Sequence, residues 1–257
     1  MPLGIGCLDK NIFFSSGHFT PAPLRLSIVL KDTGRRRRYY KRMPPKTALI
    51  IANSILPAAA ILEECRSRAE MILCADGGAN RARERGLVPD FIVGDLDSIL
   101  PETRAAFQSA QYIHRPSQHA TDLEKTLQFA IAQKIQGVLL VGITGLRFDH
   151  QICNLNIAEK FCGQIEIEMH DDFGIGTFLN ASQREASLRI EAFVGQQISL
   201  FAFRRAEGIV TAGLKYPLQN EALAWAVRDG LSNEATAGEV EIRLKKGVLF
   251  VYRVSKS

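Results

Sequence analysis

The sequence lacks long apolar runs and paired cysteine motifs. The apolar stretch 48–62 is interrupted by Asn53, Ser54 and Pro57, and no run approaches the roughly 18 residues that a membrane-spanning helix needs. The five cysteines are odd in number and include no C-x-x-C pair, which argues against a disulfide framework and a zinc site. We therefore expect no membrane association and a reducing, cytoplasmic location.

Charge is unevenly distributed along the 257 residues, of which 46% are hydrophobic, enough for one large core or two smaller ones. The net charge is +5, but residues 1–46 hold ten basic and two acidic residues, against 22 basic and 25 acidic in the rest. Nucleic-acid binding needs a basic stripe on the folded surface. Because the basic excess sits in one segment, we expect no nucleic-acid partner.

Residues 1–46 are predicted to form a basic tail outside the fold, since they mix Gly and Pro with polar residues and lack sustained periodicity. An extension upstream of a true start at Met43, a targeting segment and a basic docking arm all remain possible. We expect this tail to pack against nothing, so Ile28, Val29 and Leu30 should not be buried.

Residues 47–172 show the pattern of an α/β domain, with short apolar runs alternating with helical stretches, which is typical of a parallel sheet. Strands are predicted at 48–52, 71–75, 91–94, 112–114, 138–143 and 165–170, and helices at 58–69, 78–85, 102–110, 121–133 and 149–161. Residues 173–257 switch to short strands with glycine turns, which predicts a smaller all-β sandwich domain. Its strands are predicted at 187–190, 197–203, 208–212, 223–227, 239–244 and 248–254. Its last two strands, joined by Lys245-Lys246-Gly247, are predicted to form a closing hairpin.

Two motifs at predicted strand ends carry candidate chemistry, because ligands of parallel sheets bind beyond the carboxyl ends of the strands. Asp76-Gly77-Gly78-Ala79-Asn80 is either a phosphate loop at a helix start or a plain turn. In Gly94-Asp95-Leu96-Asp97-Ser98, an extended chain would point Asp95 and Asp97 the same way. Such a pair suits Mg²⁺, although a solvated acidic turn is the alternative.

Two further motifs occupy later strand-to-helix transitions. Thr121-Asp122-Leu123-Glu124 has the form of a capping box at a helix start. Asp122 could be a third metal ligand and Lys125 a phosphate contact. The alternative is that Asp122 only favours the helix dipole and that Lys125 is a solvated surface charge. In the loop after the fifth strand, Arg147 would bind phosphate and Asp149 would bind a polar group of the ligand. The alternative is a surface loop in which Asp149 is only a capping residue. Together the four clusters favour a metal–nucleotide site.

From about residue 47 onward the chain resembles the thiamine pyrophosphokinase family. The resemblance is carried by six ordered motifs: Ala75-Asp76-Gly77-Gly78-Ala79-Asn80, Pro89-Asp90-Phe91-Ile92-Val93-Gly94-Asp95-Leu96-Asp97-Ser98, Thr121-Asp122-Leu123-Glu124-Lys125, Arg147-Phe148-Asp149-His150, Gly213-Leu214-Lys215-Tyr216 and Ser232-Asn233-Glu234. It implies an α/β catalytic domain followed by a β-sandwich domain, a homodimer, and Mg²⁺-dependent transfer of the pyrophosphoryl group of ATP to thiamine.

The resemblance also implies roles for individual residues. Asp95, Asp97 and Asp122 would hold Mg²⁺, with catalysis shared by Lys125 and Arg147. Nucleotide and phosphate contacts fall on Asp76, Gly77, Gly78, Asn80, Gln118, Thr121 and Arg147. Asp149 would begin the thiamine pocket, which Ser232 and Asn233 of the partner subunit would close.

The chain departs from the family pattern at Ser117, His119, Tyr216 and Gly230. Because of Ser117 and His119, secondary metal contacts can differ. The aromatic residue that stacks on thiamine is either Tyr216, Trp225 or neither. For Trp225 a core role in a strand is the alternative. Two other functions also fit a strand-end acidic pair: a metal-dependent glycosyl- or nucleotidyltransferase using Asp95 and Asp97, and a non-catalytic nucleotide-binding regulator.

Overall fold

The computed structural model describes residues 43–256, which form five helices and fourteen strands. Strands and helices alternate first: β1 (Thr47–Ile51), α1 (Ala59–Ser67), β2 (Met71–Ala75), α2 (Gly78–Glu84), β3 (Phe91–Gly94), α3 (Pro101–Ala106), β4 (Gln111–His114), α4 (Asp122–Ala132), β5 (Gly137–Val141), α5 (Phe148–Phe161) and β6 (Glu166–His170). Only strands follow: β7 (Gly174–Asn180), β8 (Ala186–Glu191), β9 (Gln197–Phe201), β10 (Arg205–Ala212), β11 (Gln219–Ala224), β12 (Gly230–Glu234), β13 (Glu239–Leu244) and β14 (Val248–Val254). The predicted fold class is confirmed.

A single ten-stranded sheet runs through most of the molecule, in the order β12-β9-β14-β7-β6-β5-β1-β2-β3-β4. The six strands from β6 to β4 pair in parallel, whereas β7, β14, β9 and β12 pair antiparallel. Hydrogen bonding between β6 and β7 therefore crosses the domain boundary predicted after residue 172. The exact boundary stays a prediction.

The parallel half is buried on both faces. Alternate residues of β1 point to opposite sides: Ala48 and Ile50 pack with α4 and α5, while Leu49 and Ile51 pack with α1 and α2. This two-sided burial explains why β1 and β5 read as continuous apolar runs rather than alternating ones. It also fixes where the strand ends, and hence the candidate site, must lie.

The antiparallel half forms a sandwich with a second sheet of four strands, in the order β11-β10-β13-β8. The core between the layers joins residues of both sheets, including Ile198 and Leu200 of β9 with Val240 and Ile242 of β13. The all-β expectation holds here. The predicted elements missed β7 and β12, whose sequences contain glycine and polar residues instead of a regular apolar alternation.

The predicted closing hairpin is wrong. β13 pairs with β10 and β8 in the small sheet, whereas β14 pairs with β7 and β9 in the large one. Gly247, with φ of +95°, lies so close to β10 that a Cβ would stand 2.3 Å from the backbone oxygen of Arg205. The turn thus carries the chain from one layer to the other. The hairpin prediction was wrong because alternating apolar residues show which face of a strand is buried but not which strand pairs with it.

The predicted start of α4 is confirmed in part. Thr121 is the N-cap, and its Oγ1 accepts a hydrogen bond from the backbone N–H of Glu124 (3.3 Å). The other half of the capping box is absent, because the Glu124 carboxylate accepts from Lys160 of α5 instead (2.5 Å). Helix α4 is therefore fixed by one cap bond and by its contact with α5.

The predicted tail lies almost entirely outside the described residues, as do Ile28, Val29 and Leu30. Of its last four residues, Met43 is partly buried against the core, and the Lys46 ammonium donates to the backbone oxygen of Gln133 (2.6 Å). Contact with the fold thus begins before Thr47. Among residues 43–256, no helix is long and apolar enough to cross a membrane.

Candidate active site

Asp76 follows β2 directly and is almost wholly buried. Its Oδ2 accepts a hydrogen bond from the backbone N–H of Ser98 (3.2 Å), whereas its buried Oδ1 accepts none from the described residues. Burial raises the pKa of this carboxyl; hydrogen bonds from Ser98 oppose the rise, and the charge of Asp122 adds to it. A buried carboxylate oxygen without a donor is costly unless a cation or a proton compensates.

Asp95 follows β3 and presents a second carboxylate of the same kind. Its Oδ1 is buried without a hydrogen bond from the described residues, while its Oδ2 accepts from Gln118 Nε2 (3.3 Å) and from Lys125 Nζ (3.5 Å). Desolvation acts to raise the pKa of Asp95, but the Lys125 charge and the Gln118 hydrogen bond hold it below its usual range. Asp95 is therefore kept ionised.

Asp122 and Lys125 lie on the first turn of α4, three residues apart. The Lys125 side chain is only 5% exposed, and its Nζ contacts Asp122 Oδ1 at 2.9 Å. Burial acts to lower the pKa of Lys125, but its bonds to Asp122 and Asp95 raise it overall. One ammonium thus faces the carboxylates of Asp122 and Asp95.

The structure brings Asp76, Asp95 and Asp122 into one cluster, in which one ligand oxygen from each lies within 4.8 Å of the others. Two of these carboxylates hold a buried oxygen without a donor, and oxygen ligands of this type suit Mg²⁺. Gly94 permits the approach: a Cβ there would stand 2.7 Å from Asp76 Cβ and 2.9 Å from Asp122 Oδ1. Sequence reasoning missed this role, although the glycine directly before Asp95 was a visible signal.

Asp97, predicted as a metal ligand beside Asp95, lies outside this cluster. It is exposed, and its Oδ1 accepts from the Ser98 hydroxyl (2.9 Å). The i and i+2 argument assumed an extended chain, but β3 ends at Gly94 and Leu96 has φ of +67°. This bend turns Asp97 away, and Asp76 takes the third place in the cluster.

The loop after β2 is packed tightly by its glycines. A Cβ on Gly77 would stand 2.3 Å from Asn53 Nδ2, and one on Gly78 would stand 2.2 Å from the backbone oxygen of Ile51. Asn80 uses both ends of its amide within the protein, donating to Ser98 O (2.8 Å) and accepting from Leu100 N–H (3.1 Å). These residues hold the site loops together; their predicted phosphate contacts stay a prediction.

Arg147 and Asp149 lie at the start of α5 and are exposed. The guanidinium donates two hydrogen bonds to the carboxylate, Nη2 to Oδ2 at 2.5 Å and Nε to Oδ1 at 3.1 Å. The hydrogen bond from Arg147 lowers the pKa of Asp149. The structure thus pairs these two residues with each other, while their predicted contacts to phosphate and thiamine stay predictions.

The two predicted substrate residues of β12, Ser232 and Asn233, differ in burial. Asn233 is buried, and its amide is bound to the backbone of Tyr216, accepting from its N–H (3.1 Å) and donating to its carbonyl (2.8 Å). Ser232 is exposed with φ of +54°, and its N–H donates to the Ser199 hydroxyl (2.9 Å). Asn233 thus joins two segments of its own chain, whereas the Ser232 residue is exposed to solvent.

The two candidate stacking aromatics are both exposed. Trp225 is 65% exposed and Tyr216 is 66% exposed. The core role considered for Trp225 is wrong: β11 ends at Ala224, so Trp225 follows the strand and contacts only the ring of Phe203 among the aromatic rings described (5.8 Å). Neither ring is fixed by packing on both of its faces.

The curated relatives of this chain are named thiamine pyrophosphokinase. Thiamine pyrophosphokinase 1 of Oryza sativa subsp. japonica is 30% identical over 213 residues, covering 72% of this chain and 79% of the relative. This chain belongs to the thiamine pyrophosphokinase family. It is therefore an enzyme, and the predicted resemblance is confirmed.

Family profiles and solved structures agree with that membership. The profile of the thiamin pyrophosphokinase catalytic domain matches residues 62–169, and that of the vitamin B1 binding domain matches residues 185–249. The thiamine pyrophosphokinase structure of Bacillus subtilis superposes with a TM-score of 0.70 at 22% identity, over 82% of this chain and all of that chain. That of Candida albicans gives 0.70 at 17% identity, over 82% of this chain and 89% of that chain. The thiamine pyrophosphokinase fold thus spans the described residues.

Proposed function

We propose that this chain transfers the pyrophosphoryl group of ATP to the hydroxyethyl group of thiamine in a Mg²⁺-dependent reaction. The thiamine oxygen attacks the β-phosphorus, the bond between that phosphorus and the oxygen bridging to the α-phosphorus breaks, and thiamine diphosphate and AMP result. The proton of the thiamine hydroxyl passes to solvent. The observation that carries this proposal is the cluster of three carboxylates with two buried oxygens lacking a donor.

Asp76, Asp95 and Asp122 are the residues that would hold the metal. When bound, Mg²⁺ neutralises charge on the ATP phosphates. Asp97, which the sequence assigned to this set, would act from outside the first coordination sphere. Gln118 orients Asp95 through its hydrogen bond, and Thr121 fixes the turn of α4 that carries Asp122.

Lys125 and Arg147 supply positive charge from opposite environments. Lys125 is buried between two carboxylates, and its ammonium would neutralise charge on a phosphate bound beside them. Arg147 is exposed and can exchange Asp149 for phosphoryl oxygens, because a guanidinium fork matches either group. Together they would stabilise charge that develops on the transferred group.

Thiamine would bind on the side of Asp149, whose carboxylate suits a cationic or hydrogen-bonding ring. A homodimer with the active site at the subunit interface remains part of this proposal, with Ser232 of the partner subunit closing the pocket. Exposed apolar side chains such as Tyr216, Trp225 and Leu231 support an interface. The buried amide of Asn233 would act there through the backbone of Tyr216. ATP as co-substrate and a cytoplasmic location complete the proposal.

The test is incubation of purified protein with ATP, Mg²⁺ and thiamine, followed by mass spectrometry of the products. We expect equal amounts of thiamine diphosphate and AMP, lost on chelation and restored by added Mg²⁺. The Glu84→Gln variant, which changes an exposed carboxylate on α2 outside the acidic cluster, should retain turnover. ATP binding without either product would favour a nucleotide-binding regulator, and transfer of a sugar or nucleotidyl group would favour the other transferase class.

A further inference from the structure

The loop between β3 and α3 contains an unfavourable backbone conformation beside the acidic cluster. Leu96 has φ of +67°, the left-handed region that a residue with a branched side chain rarely occupies. It separates Asp95, which enters the cluster, from Asp97, which faces outward. A strained residue of this kind persists only where its surroundings hold it.

Arg104, an exposed residue on α3, contacts this bend. Its Nη2 donates a hydrogen bond to the backbone oxygen of Leu96 at 2.6 Å. Its guanidinium also lies over the ring of Tyr112, 5.4 Å from the ring centroid. Tyr112 belongs to β4, and its backbone register with Ile92 of β3 fixes the ring relative to the strand that ends at the site.

Other side chains hold the opposite end of the same loop. Asp76 accepts from the backbone N–H of Ser98, and Asn80 bonds to Ser98 O and Leu100 N–H. At the Leu96 end, the leucine side chain packs against the core, and the backbone oxygen accepts from Arg104. The loop is therefore held at both ends, and Asp95 lies at the end that Arg104 contacts.

We propose that Arg104 is a positioning residue for Asp95: by holding the Leu96 carbonyl it keeps the bend that directs Asp95, and not Asp97, to the metal. This inference rests on the proposed function, because it needs Asp95 to be a metal ligand. Arg104 would act through the Leu96 carbonyl and not as a metal ligand. Loss of such an outer contact weakens metal binding without removing a ligand.

The test measures Mn²⁺ binding to the full-length protein by electron paramagnetic resonance, beside Mg²⁺-dependent kinetics. In Arg104→Ala we expect the Mn²⁺ dissociation constant to rise about tenfold. The apparent KM for Mg²⁺ should rise likewise, with kcat recovering at saturating Mg²⁺. Arg104→Lys keeps one donor but not the planar stack on Tyr112, so its affinity should be intermediate.

The matched control is Arg83→Ala, which removes an arginine of α2 that pairs with Glu102 and does not bond to the loop. Its Mn²⁺ affinity should equal that of the unchanged protein. Unchanged affinity in Arg104→Ala, while Asp95→Asn loses Mn²⁺, would overturn the positioning role alone. No Mn²⁺ binding by the unchanged protein would overturn this inference together with the metal site, while product formation separately decides the proposed reaction.

Discussion

The two groups of candidate site residues differ in how the chain holds them in place. Asp76, Asp95, Asp122 and Lys125 are fixed by strand ends, by a helix start and by contacts among themselves. The residues assigned to the substrate side are instead exposed, with the exception of Asn233. In this chain the acidic residues are therefore held by one another, whereas most of the residues predicted for the substrate side are exposed to solvent.

This difference is expected from the origin of each group. The acidic cluster lies where the ends of parallel strands converge above a core buried on both faces, so its geometry follows from the sheet. The exposed group lies on the start of α5 and on loops and strands of the sandwich, where few contacts limit the side chains. The acidic cluster, held by its own contacts, is thus the rigid half of the candidate site, and the exposed group is its adaptable half.

The largest expected effect is on the rigid half. Asp95→Asn removes a ligand charge at the point where two carboxylate oxygens lack donors, so turnover should fall roughly 1,000-fold and Mn²⁺ binding should be lost. Thermal stability should change little, because Lys125 keeps its closer contact with Asp122. Turnover, Mn²⁺ titration and thermal unfolding check these three expectations.

Two variants sharpen this result. Glu239→Gln, at an exposed position of β13, should leave all three quantities unchanged. Asp97→Asn should weaken Mn²⁺ binding less than Asp95→Asn does, because Asp97 lies outside the cluster. Equal loss of Mn²⁺ in both variants would contradict the separation of Asp95 from Asp97.

A smaller effect is expected on the adaptable half. Arg147→Ala should lower kcat about 100-fold, because the guanidinium would meet charge that develops on phosphate. Mn²⁺ affinity and the unfolding temperature should not change, since the pair with Asp149 is exposed. Arg243→Ala is the matched control: Arg243 forms the same type of two-bond pair with Glu241 on β13, away from the site. A loss of Mn²⁺ binding in Arg147→Ala would show that the two halves are not independent.

How far the sequence predicted this site depends on which physical rule applied. The rule that parallel strand ends converge, together with the positions of Asp95 and Asp122, was enough to predict a shared acidic site. It did not anticipate the positive φ of Leu96, because the contacts around Leu96, such as the hydrogen bond from Arg104, come from farther along the chain. No local pattern reports such a contact. The predicted metal contact of Asp97 is therefore left to the Asp97→Asn variant.

For the fold too, local features were predictable from the sequence, whereas features set by distant contacts were not. Elements of the parallel half were predicted to within two residues at either end, since helices and strands there differ in periodicity. The exception is α3, which ends at Ala106 rather than at 110. In the sandwich, alternation identified β13 and β14 but not their partners. Strand pairing there is set by contacts between the layers, which join residues far apart in the sequence.

The last prediction tests whether the rigidity of the cluster matters for metal binding. In Gly94→Ala the new methyl would stand 2.7 Å from Asp76 Cβ and 2.9 Å from Asp122 Oδ1, so the two carboxylates must move apart. We expect Mn²⁺ affinity to fall about tenfold and unfolding free energy to fall by about 1–3 kcal/mol. Gly238→Ala is the control, because a Cβ there stands 4.0 Å from the Ala192 backbone oxygen, an ordinary contact. Unchanged Mn²⁺ affinity in Gly94→Ala, with stability lowered, would mean that close approach of the carboxylates serves packing and not the metal.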